Sequence, residues 1–510
     1  MSRVDSIAKN VRISAACQVL LMVVNFALRR VFVLVLGREY LGLDGLFTDI
    51  LSMLSLAELG FGTSVLFSLY KPVAEGNQEK IKSLMSLYRR AYRVIGTVVL
   101  AAGIALTPFL DAFVKEMPSG IPHIRWIYIL NVLNSGISYF FVYKTSLLFA
   151  YEKKYVELLV QTAVRGAAGV VQALLLLTTG NYFLYLGVAI LTTVVQNTAI
   201  SMRVDRMYPY VREKNVLPLL REDKLLIRRN LAATMLHKFG EVAIFGTDSL
   251  LLAKFVSVGA VGTYSNYMLI RKALVRCIDM VFSAITPSMG NLTASEPLAH
   301  KRLAFDRVNF FAAWLFGWMC ICLFWLYNPF IALWLGEDYL FPMEIVALIV
   351  VNFYVYCMRI PVCTTKDAMG LFWIDRYKPL AEAVINLVAS ILLALRIGIA
   401  GVLLGTLIST VAAPLWVEPL VLSRYGLERP VGIYFKFYGL YLAVTVAAGT
   451  VTGWVCALLP GGIGGLVLRM AVCAVLPNLL YAAVYWRMEE FRYLAGMASR
   501  LLHRVRKRSW

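Results

Sequence analysis

Charge is what this sequence has least of. Asp, Glu, Lys and Arg make up 16% of its 510 residues, against about 25% in an ordinary soluble domain. Histidine is close to missing, with four residues, and the acidic side chains number 30. Catalytic signatures are missing too. No GK[ST] occurs, which excludes a Walker A loop and a built-in ATPase. The absence of HExxH, paired CxxC and GxSxG removes the familiar zinc, thiol and serine-hydrolase centres. The eight cysteines (Cys17, Cys277, Cys320, Cys322, Cys357, Cys363, Cys456, Cys473) all lie in apolar stretches. Cys320 and Cys322 stand two apart, a spacing of no common zinc site, so packing thiols are expected, with no metal and no cofactor. The expected external loops are too short to hold an extracytoplasmic catalytic domain. The chain reads as a non-enzyme.

What fills the space is hydrophobic: 60% of residues, with a mean hydropathy of +0.71. Runs of about 20 apolar residues recur from end to end, each long enough to cross a bilayer as a helix. Polar backbone cannot face lipid, and the runs are too long for barrel strands. The fold class is therefore an all-α polytopic membrane protein with about 14 transmembrane helices. The first run, near 11–37, is too long and wrongly flanked for a cleaved signal peptide. Net charge is +20, yet most of the 50 Lys and Arg fall in alternate connections. That positive-inside bias predicts a multi-pass protein of the cytoplasmic (inner) membrane with both termini cytoplasmic. Contact with anionic membrane lipids follows from it, and binding of nucleic acid does not.

Charge density and spacing divide the chain into an N-terminal six-helix half (1–203), a basic cytoplasmic linker (204–228) and a C-terminal six-helix half (229–424). Two additional spans (425–486) and a basic cytoplasmic tail (487–510) follow. The tail suits either an inner-leaflet surface helix or a flexible basic segment. A weak internal repeat supports two halves. Asn10 after Lys9 matches Asn230 after Arg229, and the same offset lays LGREYLGLDGLF (36–47) on VSVGAVGTYSNY (256–267), pairing Gly42 with Gly262. Six spans per half is an even number, so the halves share one orientation. They would be related by a pseudo-twofold axis along the membrane normal, with a chamber between them.

The spans are not uniformly apolar. The stretch 229–290 alone carries His237, Lys238, Glu241, Asp248, Arg271, Lys272, Arg276 and Asp279. A charge at the bilayer centre costs roughly 2.5–3.5 kcal/mol even on the mild insertion scale, so such groups should face protein or water. At 100° per residue His237, Glu241 and Asp248 share one helix face, as do Ser265, Lys272, Arg276 and Asp279. In the first span Gln18, Asn25 and Arg29 lie on one side with Arg30 beside them. Asp44, Glu58 and Gly62 fall on a polar stripe of the second, and Lys144 and Arg165 lie in later spans. Salt bridges that only tie helices together would account for any one pair, and Arg29 and Arg30 could equally snorkel to the outer surface.

Taken together the cations outnumber the carboxylates. Arg29, Arg30, Lys144, Arg165, Lys238, Arg271, Lys272 and Arg276 form the candidate substrate-binding set, with Gln18, Asn25 and Ser265 as polar lining. Glu58, Glu241, Asp248 and Asp279 are candidates for ion coupling. An excess of cation suits an anionic ligand, and the planar guanidinium fork suits phosphate in particular.

The span count, the two parallel halves and the stretch LGREYLGLDGLFTDILSMLSLAELGFGTSVLFSLYKPVAEGNQEKIKSLMSLYRRAY (36–92) together resemble the Wzx-like polysaccharide-export flippases. These belong to the MOP superfamily, which also holds the MATE drug exporters and the lipid II flippase MurJ. The resemblance implies a MATE-like fold and movement of a polyprenyl-pyrophosphate-linked oligosaccharide from the inner to the outer leaflet for cell-surface polysaccharide synthesis. It also implies a cationic cavity from spans one, two, seven and eight, where Arg29, Arg30, Lys238, Arg271 and Arg276 fall. The last two spans would line a groove for the polyprenyl tail, and polysaccharide-synthesis machinery would be a partner. Glu58, Glu241 and Asp248 depart from a purely cationic chamber and would also suit coupling to H⁺ or Na⁺ beside the membrane potential.

Three other readings compete. A MATE-like exporter of organic cations would want a chamber dominated by carboxylates and aromatics. A membrane-embedded glycosyltransferase or polysaccharide polymerase would want a long external loop or a carboxylate-rich centre. A structural subunit of an envelope-synthesis complex would leave the intramembrane charge unexplained.

Overall fold

The structure, a computed structural model, describes residues 3–508 apart from 59–60, 119, 152, 214–215, 220, 222–224, 226, 228–230, 232–245 and 372–373. Among the described residues every regular element is a helix. Nine of these helices are long and apolar enough to cross a membrane. A tenth span arises if Gln78–Ala105 and Thr107–Phe113, bent by 40° at their junction, count as one.

The first helix, α1 (Arg3–Leu54), is kinked at Gly37, whose φ of 81° is open to glycine and costly for other residues. A 3₁₀ turn, Ser55–Glu58, interrupts the second span before α2 (Phe61–Ala74). Asn77 then starts α3 (Gln78–Ala105), its side chain accepting from the Lys80 N–H at 3.0 Å. Helices α4 (Ile124–Val142) and α5 (Thr145–Ala150) form the fourth segment. Between α6 (Lys154–Thr179) and α7 (Tyr182–Met207) the sequence TTGN makes a tight turn. Gly180 adopts φ 60°, and Asn181 caps α7 through the N–H groups of Phe183 and Leu184. The next described helices are α8 (Asp248–Phe255), at the end of the expected seventh span, and α9 (Val258–Ser295).

Helices α10 (Leu298–Leu335), α11 (Met343–Ala368), α12 (Lys378–Ile397) and α13 (Ile399–Ala412) follow. Gly398, at φ 57°, divides α12 from α13. Helix α14 (Pro414–Val421) runs into a π turn over Leu422–Gly426. Helices α15 (Val431–Ala457) and α16 (Gly462–Tyr485) are the two additional spans, and α17 (Glu489–Arg508) is the tail.

The chain separates into two compact units, Met1–Ser265 and Asn266–Trp510. In the first, α1 packs on α6, α3 on α4, and α7 on both α4 and α6. Its core gathers Val65, Leu69, Leu84, Tyr88, Leu147 and Val204. In the second, α10 packs on α11, α15 and α16, while α12 and α13 form a close hairpin with α13 against α11. The first unit ends inside α9, beyond the expected start of the second half at 229. The physical reason is close packing: Gly42 lets α1 meet the backbone of Val258, and Gly262 lets α9 meet the carbonyl of Arg38. Part of the expected linker is also fastened down. Tyr208 stacks on Tyr151 at 4.4 Å, Lys82 bonds Glu213 at 2.8 Å, and Ser83 donates to the Leu217 carbonyl at 2.6 Å.

Candidate functional site

In the first unit the charged groups gather in separate clusters. Arg29 on α1 donates from Nη2 to the Ser265 hydroxyl (3.1 Å) and carbonyl (3.4 Å) at the start of α9. Its opposite charge is Asp44, which accepts from the Tyr182 hydroxyl at 3.1 Å. Asn131 bonds Tyr182 from α4, and Tyr182 stacks with Tyr185 at 5.8 Å. The Arg29 Nε is buried and has no acceptor among the described residues. This guanidinium is therefore positioned by protein on one side and unfilled on another.

Glu58 sits at the break in the second span. It accepts from the Tyr92 hydroxyl, Tyr92 bonds Tyr88, and the Ser146 hydroxyl donates to Tyr88 at 3.1 Å. A Cβ on Gly62 would lie 2.7 Å from the Tyr92 oxygen, 2.8 Å from Glu58 Oε1 and 3.1 Å from the Tyr88 oxygen. Only glycine leaves those three oxygens room to converge.

Other candidates are engaged by neighbours. Lys144 bonds both oxygens of Asp205 (2.7 and 2.8 Å) and the Ser201 hydroxyl (2.7 Å), and Arg212 lies 3.3 Å from the same carboxylate. Arg165 donates to Gln196 at 2.9 Å across α6 and α7. Asp248 is buried and accepts from Tyr264 at 3.1 Å. Gln18 is half-buried, while Asn25 and Arg30 are exposed. Just outside the spans, burial pushes the Tyr208 phenol above its ordinary value, and Tyr151 and Tyr155 add to that. Lys238 and Glu241, with His237, lie outside the described residues.

In the second unit Arg271 lies over the Tyr356 ring at 5.3 Å and reaches Met268 Sδ at 3.8 Å. Lys272, Arg276 and Asp279 are exposed along the same helix. Neither Lys272 nor Arg276 has a carboxylate in ion-pair range among the described residues, so this face of α9 carries surplus positive charge. Near one end of α11 a different arrangement holds. Arg359 bonds Glu418 twice (3.0 and 2.8 Å) and Glu382 once (3.2 Å), Lys378 bonds Glu418, and Lys366 bonds Asp375. Three cations meet three carboxylates, so this network is neutral and has no charge left for a ligand.

Arg29 and Glu58 are candidates by sequence, and the groups that surround them are not. Asp44 was legible on the polar stripe, and Tyr88 and Tyr92 stand four apart on one helix face. Tyr182 carried no signal except its place after a capping Asn.

No family model and no curated protein matches the chain. Solved structures do. The lipid II flippase MurJ in an inward closed conformation has TM-score 0.64 at 13% identity, covering 92% of this chain and 98% of that one. A multidrug resistance MATE family transporter of the MOP superfamily, inward-facing, has TM-score 0.62 at 12% identity, covering 82% and 99%. A MOP superfamily transporter from Pyrococcus furiosus, described as having a binding pocket of reverse polarity that suggests a different function, has TM-score 0.55 at 13% identity, covering 83% and 96%. The chain has the fold of the MOP-superfamily transporters. It is a multi-pass membrane protein whose similar structures are transporters and flippases.

Proposed function

We propose that this protein is a flippase. It carries polyprenyl-pyrophosphate-linked oligosaccharide from the inner to the outer leaflet of the cytoplasmic membrane, by alternating access, for cell-surface polysaccharide synthesis. The observation that carries this reading is unfilled positive charge on spans of a transporter fold. Among the described residues Arg29 has a buried Nε without an acceptor, and Lys272 and Arg276 have no carboxylate in ion-pair range. Arg29 has Asp44 as its opposite charge, but a buried N–H without an acceptor is costly, and a phosphate oxygen would supply one. Pyrophosphate offers the oxygens that the guanidinium fork matches.

Arg29 in the first unit and, separately, Arg271, Lys272 and Arg276 in the second are the candidate contacts for pyrophosphate, with Lys238 added by its place in the sequence. Polar groups such as Gln18 and Asn25 meet sugars, and the lipid tail stays in the bilayer. An inside-negative potential favours outward movement of the anion by about 2.3 kcal/mol per charge per 100 mV. Glu58, Glu241, Asp248 and Asp279 are the groups that H⁺ or Na⁺ would use to reset the carrier.

A MATE-like exporter of organic cations is the second reading, favoured by the MATE likeness and by the Glu58 carboxylate among phenols. The two readings separate in one binding experiment on purified protein. Polyprenyl pyrophosphate should bind wild type and bind Arg29→Ala at least about tenfold more weakly, a loss of about 1.4 kcal/mol. Tight binding of a lipophilic cation with no binding of pyrophosphate would reverse the ranking.

A further inference from the structure

Just past the end of α16, Trp486 is 54% exposed, and Arg487 lies 4.8 Å over its ring. An exposed indole beside a guanidinium at the end of an apolar helix is the pattern of the membrane–water boundary. The tail helix α17 starts directly after this pair, so its first turn stands at that level. Two contacts fasten it to α10: Phe491 stacks on Trp314 at 5.7 Å, and Arg307 lies 3.6 Å over the Tyr493 ring. Trp314 also donates from Nε1 to Asn478 of α16 at 2.7 Å, so both spans hold the base of the tail. Glu489 and Glu490 sit in the first turn, at the positive end of the helix dipole. After Glu490 every charged residue in the sequence is a cation.

Those cations are ordered around the helix. At 100° per residue the positions of Phe491, Leu494, Ala498, Leu501, Leu502 and Val505 fall within an arc of about 100°. The positions of Arg492, Arg500, His503, Arg504 and Lys507 fall on the opposite side, within about 120°. We infer that α17 lies along an anionic phospholipid surface, with its apolar arc at the acyl boundary and its basic arc among the headgroups. A helix with one apolar arc and a basic back is too polar to cross a bilayer and too apolar on one side to stand in water. At about 1.5 Å per residue its 20 residues cover about 30 Å of that surface.

Charge decides which kind of surface. The apolar arc suits any bilayer, but cations with no carboxylate among them repel one another, and anionic headgroups remove that repulsion. An acidic protein would offer the same charge, yet docking to one does not require a helix that begins at the membrane boundary. Because the base of α17 is tied to α10 and α16, lipid composition sets how firmly the ends of these two spans are held. The inference does not rest on the flippase reading.

The test is hydrogen exchange across 495–508 in the full-length protein, in nanodiscs of phosphatidylcholine alone and of phosphatidylcholine with phosphatidylglycerol. Exchange should slow at least about tenfold in the anionic discs, an opening free energy higher by about 1.4 kcal/mol. Salt at about 1 M, where the Debye length is about 3 Å, should remove most of that difference. Arg500→Gln/Arg504→Gln/Lys507→Gln leaves the apolar arc and every span intact and should abolish it. Equal exchange of wild type in the two discs would overturn the inference, and so would a difference that survives in the triple variant. Slowing by added polyglutamate in neutral discs, with no response to phosphatidylglycerol, would give the basic face to an acidic protein and overturn it as well.

Discussion

Gly42 and Gly262 meet backbone to backbone. A Cβ on Gly262 would stand 2.2 Å from the Arg38 carbonyl oxygen and 3.1 Å from the Gly42 nitrogen, and one on Gly42 would stand 1.9 Å from the Val258 carbonyl oxygen. These are the two glycines that the internal sequence match pairs. They turn out to be partners in one helix crossing, which also brings Ser265 to Arg29.

That crossing has no room for a side chain. Gly262→Leu should destabilise the protein by about 1–3 kcal/mol or more through overpacking. Gly259→Ala, whose Cβ would meet only the Arg38 side chain at 3.6 Å, should stay within about 0.5 kcal/mol of wild type. Thermal unfolding in detergent reads both. Equal melting temperatures for the two variants would contradict the packing described.

Gly62→Ala should act more locally. The added methyl pushes apart the oxygens of Glu58, Tyr92 and Tyr88, so the variant should fold yet lose the Glu58–Tyr92 hydrogen bond. Infrared spectra of the carboxyl region should show the same change for Gly62→Ala and Tyr92→Phe and none for Tyr70→Phe. Identical spectra in wild type and Gly62→Ala would show that the oxygens do not converge there.

The network near the end of α11 should behave as structure. Arg359→Met leaves Glu418 and Glu382 short of one cation at side-chain exposures of 1% and 4%, and should cost about 3–5 kcal/mol. Arg359→Met/Glu382→Gln restores neutrality while Lys378 still holds Glu418. The double variant should recover about 0.5–3 kcal/mol relative to additivity. Additive losses in denaturant or thermal unfolding would count against a shared network.

Lys144 makes a sharper case. Its charge is committed to Asp205, so Lys144→Met/Asp205→Asn should keep most of the lipid flipping that Arg29→Ala loses. Flipping lost in the double variant at unchanged stability would put Lys144 with the substrate instead.

Much of this architecture was legible because lipid imposes simple rules. Apolar length predicts helices, since lipid leaves the backbone no other way to satisfy its polar groups. The polar stripe likewise marked Asp44 and Glu58, which accept from Tyr182 and Tyr92 in the structure. Pairing was not legible, because which charge meets which depends on helix crossings that no local pattern encodes. Lys366 has Asp367 beside it in sequence yet bonds Asp375. Lys144 has no acidic residue near it in its own segment and finds Asp205 one helix hairpin later. The break at Ser55–Glu58 also escaped the periodicity argument, since the apolar pattern continues through it.

The most direct test of the central claim is leaflet accessibility in proteoliposomes loaded with a fluorescent polyprenyl-pyrophosphate-linked oligosaccharide. Purified wild type should expose internal lipid to a membrane-impermeant quencher. Arg29→Ala and Arg271→Ala/Arg276→Ala, folded by their melting curves, should slow this by at least about tenfold, or about 1.4 kcal/mol of barrier. Wild-type vesicles that expose lipid no faster than protein-free ones would contradict the flippase account, and so would cation-deleted variants that flip at the wild-type rate.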